Sequence, residues 1–145
     1  MATELRPPSA VEEWDAYHAI RRRVLFERRG VGHLYDPDHP DDRRDGNHPL
    51  VLVDDDRVVG VVRIDVAGTV AILRRVAIDE SAQGCGYGRE LLKQANDFAR
   101  KHGCTEVQSF VAPDAVDFYA RSGFSRVGST SAAESVPMAR AVDQG

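Results

Sequence analysis

The segment that most constrains this chain is a glycine-rich turn between a β-branched run and an amphipathic helix. The turn reads Gln83-Gly84-Cys85-Gly86-Tyr87-Gly88. It follows a predicted strand from Thr69 to Ile78 and precedes a helix predicted to end near His102. A helix that begins directly after such a turn offers unpaired backbone N–H groups and the positive end of its dipole. Because glycine has no Cβ, an anion can approach the backbone closely, so the segment predicts a phosphate-binding site.

Three kinds of nucleotide-binding loop compete for this turn. A P-loop has Lys and then Ser or Thr after its last glycine, whereas Gly88 is followed by Arg89 and Glu90. A dinucleotide-binding loop has the spacing Gly-x-Gly-x-x-Gly inside a parallel βαβ unit. Here the third glycine comes one residue early, and the preceding strand ends an antiparallel meander. A coenzyme A pyrophosphate loop is the interpretation that fits.

The remaining pattern predicts a mixed α/β sheet. A capping box, Ser9-Ala10-Val11-Glu12, predicts a helix that runs to about Arg29 and stops at Gly30. A long loop with one short helix near Asp41 to Asp45 should follow. The helix after the glycine turn should be a crossover between parallel strands. The other predicted elements are strands at Leu50–Val53, Val58–Val66 (with Gly60 as a candidate bulge) and Thr105–Val111, a short helix at Pro113–Arg121, and strands at Phe124–Gly128 and Glu134–Arg140.

Length and charge narrow the class of protein. The 145 residues suit one domain, 1–145, and contain no apolar run of the roughly 20 residues that a membrane helix needs. The net charge of −4 disfavours a nucleic-acid partner, and the basic run Arg21-Arg22-Arg23 is interpreted as a solvated helix face. Two cysteines, Cys85 and Cys104, with no visible secretory signal predict reduced thiols and a cytoplasmic location. No Cys/His spacing resembles a zinc site, so no metal is expected.

Two segments together resemble a known family. The glycine turn matches the (Arg/Gln)-x-x-Gly-x-(Gly/Ala) loop of the GNAT superfamily of N-acetyltransferases. A later segment, Ala115-x-x-Phe118-Tyr119-x-x-x-Gly123-Phe124, is similar to a second conserved element of that family. The resemblance implies a GNAT-like fold, in which an antiparallel meander is followed by a parallel β-α-β crossover with helices on both faces. It also implies direct transfer of an acetyl group from acetyl-CoA to a primary amine, on a small molecule or on a protein amino terminus or lysine.

The resemblance assigns roles to individual residues. The backbone of Val76 and Ile78 should pair with the pantetheine arm, and an N–H near Val76 or Ala77 should polarise the thioester carbonyl. Tyr119 should act as general acid toward the coenzyme A thiolate. The implied cofactor-binding set is Val76, Ala77, Ile78, Gln83, Gly84, Cys85, Gly86, Tyr87, Gly88 and Arg89.

Two departures from the family pattern leave alternatives open. There is no Asp or Glu from Val66 through Ile78, where several members carry the general base, and Ala112 stands where many have an amide. Both departures favour the alternative of a non-catalytic acyl-CoA-binding module of the same fold. The family also implies a candidate homodimer interface between Phe124 and Arg140. The candidates for the base are His48, Asp65, Glu27 and Glu134.

Overall fold

A computed structural model describes residues 2–128 and 135–143 of the chain, which form one seven-stranded mixed sheet with helices. The strands lie in the order β1-β2-β3-β4-β5-β7-β6. The elements are β1 (Thr3–Arg6), α1 (Val11–Ile20), β2 (Asn47–Asp54), β3 (Arg57–Ala67), β4 (Val70–Ile78), α2 (Tyr87–Lys101), β5 (Glu106–Val111), α3 (Val116–Arg121), β6 (Ser125–Arg126) and β7 (Val136–Ala141).

The sheet confirms the predicted meander and crossover. Strands β1 to β4 pair antiparallel in sequence order, and β4 pairs parallel with β5 through helix α2. Strand β1 was not predicted, since it is only four residues long and precedes two prolines. Helix α2 helps to fix it: the Gln94 side chain accepts the Leu5 N–H at 2.7 Å and donates to the Thr3 carbonyl at 3.1 Å.

The start of the first helix differs from the prediction. Ala10, not Ser9, is the N-cap residue, and no side chain caps the helix. The capping box with Glu12 is therefore wrong, because the neighbouring Glu13 takes that place and accepts the Ser9 N–H at 2.9 Å. Beyond Ile20 the chain stays helical as a π-helical segment (Arg21–Phe26) and a 3₁₀ segment, and it stops at Gly30 as predicted.

Both faces of the sheet are covered. In β2, Leu50 and Leu52 belong to the core under α2, whereas Val51 and Val53 pack with Tyr17 of α1 on the opposite face. This follows from the alternation of side chains along a strand. Cys104 lies buried in the larger core, as a small apolar side chain would. None of the helices in the described residues is long and apolar enough to span a bilayer.

Strands β4 and β5 separate near their ends, and this positions the site. Their parallel pairing stops at Leu73 and Ser109, although β4 continues to Ile78 and β5 to Val111. At the same place β4 carries a bulge against β3, because its register jumps from Arg74 to Ala77. A bulge bends a strand away from its neighbour. The result is an opening between β4 and β5 at the end of the sheet where the glycine turn lies.

Candidate active site

The glycine turn has the backbone that an anion cradle requires. Gly84 and Gly86 have φ angles of +80° and +86°, in the left-handed region where glycine is favoured. Gly86 is the N-cap of α2, and no side chain caps the first N–H groups of that helix. These N–H groups are therefore available to a ligand, and the turn fits a pyrophosphate.

The third glycine serves packing. A Cβ added at Gly88 would lie 3.0 Å from Cζ of Phe118, closer than ordinary contacts allow. Gly88 therefore has a packing role, in addition to any role that the glycines of the turn have in admitting the anion. Gly88 lets the second motif segment pack directly against the start of α2, and this contact brings Tyr119 to the glycine turn.

A cleft of about 760 Å³, called here the loop cleft, lies between the separated strands. Nine of the ten residues predicted to bind the cofactor line it, and Cys85 does not. Cys85 is exposed, and its thiol points toward the Gln83 carbonyl at 3.8 Å. The remaining wall of the loop cleft includes Val24, Leu25, Arg29, Leu73, Arg75, Ser109, Phe110, Val111, Ala112, Phe118 and Tyr119.

The backbone at the end of β4 faces this cleft. The Asp79 N–H donates to the Val59 carbonyl at 2.8 Å, so Ile78 occupies a position whose own backbone groups point away from β3. The Ile78 carbonyl instead accepts from the Gln83 side chain at 3.1 Å. Gln83 thus lies at the loop entrance, where it was predicted, and it occupies the carbonyl that the family resemblance assigns to the pantetheine arm.

Tyr119 lies in the wall of the loop cleft, with 7% of its surface exposed. Burial raises the pKa of its phenol, and a hydrogen bond with the Ser109 side chain opposes that shift. Ser109 is itself buried at the last paired position of β5. Ser109 was not among the predicted site residues. The available signal was a serine on the same strand face as Val107 and Val111.

The described base candidates do not line the loop cleft. Asp65 forms a bidentate ion pair with Arg63, whose Nε and Nη2 donate to the two carboxylate oxygens at 2.7 and 2.9 Å. Glu27 is half exposed and lies 3.6 Å from Arg22. His48 packs on Phe98 and His102, where burial and the neighbouring histidine lower its pKa. The fourth candidate, Glu134, lies outside the described residues.

A second cleft, of about 720 Å³, adjoins the first and is called here the arginine cleft. The two share Leu73, Arg75 and Phe110, which stand where β4 and β5 separate. The arginine cleft is lined by Arg21, Phe26, Leu34, Tyr35, Asp36, His39, Asp41, Arg44, Asn47, Arg63, Asp65, Leu73, Arg74, Arg75 and Phe110.

One arginine of this cleft corrects the interpretation of the basic run. Arg21 is only 5% exposed, so it does not belong to a solvated face, although Arg22 and Arg23 remain largely exposed. Its Nη1 donates to Asp42 at 2.8 Å and to the Tyr17 hydroxyl at 2.9 Å. Burial raises the pKa of Tyr17 well above its ordinary range, which keeps this phenol neutral. Within the described ranges, no three His, Cys, Asp or Glu side chains cluster as a metal site would require.

The comparison with known families agrees with this geometry. The family model described as acetyltransferase (GNAT) family matches residues 11–124. That span includes the glycine turn, both separated strands and Tyr119. The chain therefore belongs to the GNAT acetyltransferase family.

Individual relatives show what varies within the family. Glucosamine 6-phosphate N-acetyltransferase 1 of Oryza sativa subsp. japonica is 32% identical over 92 residues, which cover 54% of this chain and 54% of the relative. The chain thus matches about half the length of this relative. PaiA N-acetyltransferase of Thermoplasma acidophilum, solved in complex with coenzyme A, has a TM-score of 0.73 at 15% identity over 97% of this chain and 99% of that one. The ribosomal-protein-S18-alanine N-acetyltransferase of Escherichia coli has a TM-score of 0.76 at 17% identity over 99% and 96%. At these identities the structural likeness shows the fold.

Proposed function

We propose that this protein transfers an acetyl group from acetyl-CoA to a primary amine by direct transfer. The observation that carries the proposal is the loop cleft, which joins the uncapped start of α2 to a buried phenol across two separated strands. A neighbour of the same fold, PaiA N-acetyltransferase, was solved with coenzyme A, which supports a donor of that kind.

The backbone does most of the donor binding in this proposal. The N–H groups from Gly84 to Arg89 hold the pyrophosphate, and the positive end of the α2 dipole favours its charge. The free backbone groups near Ile78 pair with the pantetheine amides once the Gln83 side chain releases the Ile78 carbonyl. Acetyl-CoA supplies the activated acetyl group as a thioester, and an N–H near Val76 or Ala77 polarises its carbonyl.

Tyr119 is the proposed proton donor to the departing sulfur. A tyrosine with an ordinary pKa of about 10 is protonated at neutral pH, and burial strengthens that preference here. The raised pKa keeps the phenol protonated, and therefore available as a proton donor, at neutral pH. Ser109 holds the phenol oxygen through their hydrogen bond, which makes it a positioning residue.

The attacking amine must lose a proton, and we propose that water takes it. Asp65, Glu27 and His48 lie outside the loop-cleft lining, and Asp65 is already bound by arginine. Water can enter from the arginine cleft, which opens onto the same shared wall. This proposal places no side-chain base within the described residues.

The acceptor is proposed as a primary amine. The printed names of two relatives specify a phosphorylated amino sugar and a protein alanine, so acceptors differ strongly within one fold. The acceptor therefore has to be inferred from this chain's own second cleft.

A thiol-release assay tests the proposal. Acetyl-CoA is incubated with the full-length protein and a panel of primary amines, and free coenzyme A is measured against hydrolysis without amine. Amine-dependent release is expected from the wild type, and Tyr119→Phe should lower turnover far more than acetyl-CoA affinity. Saturable acetyl-CoA binding without release on any amine would instead identify an acyl-CoA-binding module of the same fold.

A further inference from the structure

Both clefts are lined by more arginines than carboxylates. The loop cleft has Arg29, Arg75 and Arg89 with Asp114. Five arginines line the arginine cleft, together with the aspartates Asp36, Asp41 and Asp65. The buried partner of Arg21, Asp42, adds a fourth carboxylate behind the wall. The cleft thus holds one more guanidinium than carboxylates, in a chain whose net charge is −4.

Ion pairing concentrates that excess at one place. Arg21 binds Asp42 at 2.8 Å, Arg44 binds Asp41 at 3.2 Å, and Arg63 binds Asp65 at 2.7 Å. The charges of Arg21, Arg44 and Arg63 are therefore neutralised by these ion pairs. Arg74 reaches Asp65 only at 3.6 Å, where Arg63 already bonds both carboxylate oxygens. Among residues 2–128 and 135–143, no carboxylate lies within ion-pair distance of Arg75. Arg75 therefore has no ion-pair partner among the described residues, and its neighbour Arg74 in β4 shares Asp65 with Arg63.

Arg75 is held in an unusual conformation at the junction of the clefts. Its φ angle is +57°, a left-handed backbone that costs a non-glycine residue about 1–2 kcal/mol. The guanidinium lies 5.3 Å from the ring centroid of Phe26. The residue is exposed to solvent, and desolvation, followed by the charges of Arg21 and Arg63, lowers its pKa. A strained, unpaired cation at a shared wall is typical of a functional site rather than of a structural one.

A second observation is independent of the ion-pair count. Only 5% of the surface of Arg21 is exposed, and the residue lines the same cleft. Its Nε has no hydrogen-bond partner in the described structure. A buried N–H donor without a partner is costly, so such donors normally have one. An unmet hydrogen-bond donor of a lining residue therefore accompanies the missing counter-charge of Arg75.

We propose that the acceptor amine carries an anionic group, a carboxylate or a phosphate, which binds Arg75 and Arg74 in the arginine cleft. The planar guanidinium fork matches both groups, because it can donate two parallel hydrogen bonds to their oxygens. Since Arg75 also lines the loop cleft, an anion held there leaves the amine of a small acceptor at the wall between the clefts. Phe110, half exposed on that wall, helps to position Arg74, whose guanidinium lies 5.0 Å from the ring centroid. The inference rests on the proposed acetyl transfer and names its substrate class.

The experiment uses matched amines that differ only in the anionic group. O-phosphoethanolamine is compared with ethanolamine, and glycine with glycinamide, in the thiol-release assay. The wild type should show at least about a tenfold higher kcat/KM for one or both anionic members. Arg75→Gln should remove that preference mainly through KM for the amine, and acetyl-CoA affinity is measured in the same variant because Arg75 also lines the loop cleft. The control is Arg43→Gln, because Arg43 is an exposed arginine of the neighbouring loop that lines neither cleft.

A binding measurement separates the two proposals. The same four amines are titrated calorimetrically into protein saturated with coenzyme A, for the wild type and both variants. Binding of an anionic amine that Arg75→Gln weakens about tenfold, with no thiol release, supports the anion site and overturns the acetyl transfer. Turnover of the neutral amines at least equal to that of the anionic ones overturns the anion site alone. If no amine binds and none is acetylated, both the acetyl transfer and the anion site are overturned. A preference for the phosphate or for the carboxylate amine identifies which anionic group the acceptor carries.

Discussion

The loop cleft and the arginine cleft are built in different ways from the same strands. The loop cleft takes most of its chemistry from backbone, through two left-handed glycines and the uncapped start of α2. The arginine cleft takes its chemistry from side chains of Arg21, Arg44, Arg63, Arg74 and Arg75, which are far apart in sequence. Backbone geometry can be shared by enzymes with one donor, whereas side chains can change with the acceptor. This difference supports the proposal that the loop cleft binds the donor and the arginine cleft binds the acceptor.

The largest effect should come from breaking the backbone cradle. Gly86→Leu places a side chain on a residue with φ of +86° in the loop cleft. We expect acetyl-CoA affinity to fall at least about a hundredfold, because hydrogen bonds to a charged group are worth about 1.5–3 kcal/mol each. Calorimetric titration measures the change.

The control for that variant lies at the other end of the same helix. Gly103 has a φ of +76°, and a Cβ there would meet no atom within 4 Å. Gly103→Leu should therefore carry a similar backbone strain and leave the acetyl-CoA affinity unchanged. Equal losses of affinity in the two variants would mean that strain, rather than the cradle, explains the result for Gly86.

Tyr119→Phe should have the next largest effect. Loss of a positioned general acid lowers kcat by about a hundredfold, within the usual range for such groups. Because burial raises the pKa of Tyr119, wild-type activity should not fall at alkaline pH until the pH exceeds the ordinary tyrosine value of about 10. A pH–rate profile with saturating acetyl-CoA checks both points. An unchanged kcat in the variant would remove Tyr119 from the mechanism.

Ser109→Ala separates positioning from proton donation. It deletes the hydrogen bond to Tyr119 but leaves the phenol, so kcat should fall by only about fivefold, the equivalent of one neutral hydrogen bond of about 1 kcal/mol. The same loss removes the contribution that lowers the pKa of Tyr119. A variant as slow as Tyr119→Phe would show that Ser109 does more than hold the phenol.

Arg75→Gly tests whether the arginine cleft is strained for function. Glycine relieves the left-handed backbone at φ of +57°, so the free energy of unfolding should rise by about 0.5–1 kcal/mol while activity falls. Asp55, with φ of +54° in the turn between β2 and β3, supplies the control. Asp55→Gly should stabilise equally without loss of activity. A destabilised Arg75→Gly would contradict a strained cleft.

The smallest effect lies outside both clefts and sets the baseline for stability. A hydrogen bond from Arg6, followed by one from the Ser9 N–H, lowers the pKa of Glu13 from 4.5 to about 2. Its stabilisation is therefore complete above pH 4.5 and is lost as the pH falls toward 2. Glu13→Gln should lower the free energy of unfolding by about 0.5–1 kcal/mol at pH 7. The difference from the wild type should vanish as the pH approaches 2. Urea unfolding at several pH values measures this, with Glu12→Gln as the control, since Glu12 is exposed on the same helix turn.

The sequence predicted the loop cleft far better than the arginine cleft, for a physical reason. The glycine turn, the crossover helix and the short helix before Gly123 depend on local periodicity and on positive φ, which neighbouring residues determine. The capping box failed because the choice between Glu12 and Glu13 depends on Arg6, which lies outside that motif. The burial of Arg21 depends on Asp42, 21 residues away, so no local pattern reveals it. Strand β1 likewise depends on Gln94 of α2.

The most direct test of the account is a calorimetric titration of the wild-type protein with acetyl-CoA, with NADH as the control ligand. The account predicts saturable one-to-one binding of acetyl-CoA and no heat of binding from NADH, because the turn fits a coenzyme A pyrophosphate rather than a dinucleotide. If acetyl-CoA did not bind at about 1 mM, its binding would be weaker than about 4 kcal/mol. That result would contradict the proposal that the loop cleft binds the donor.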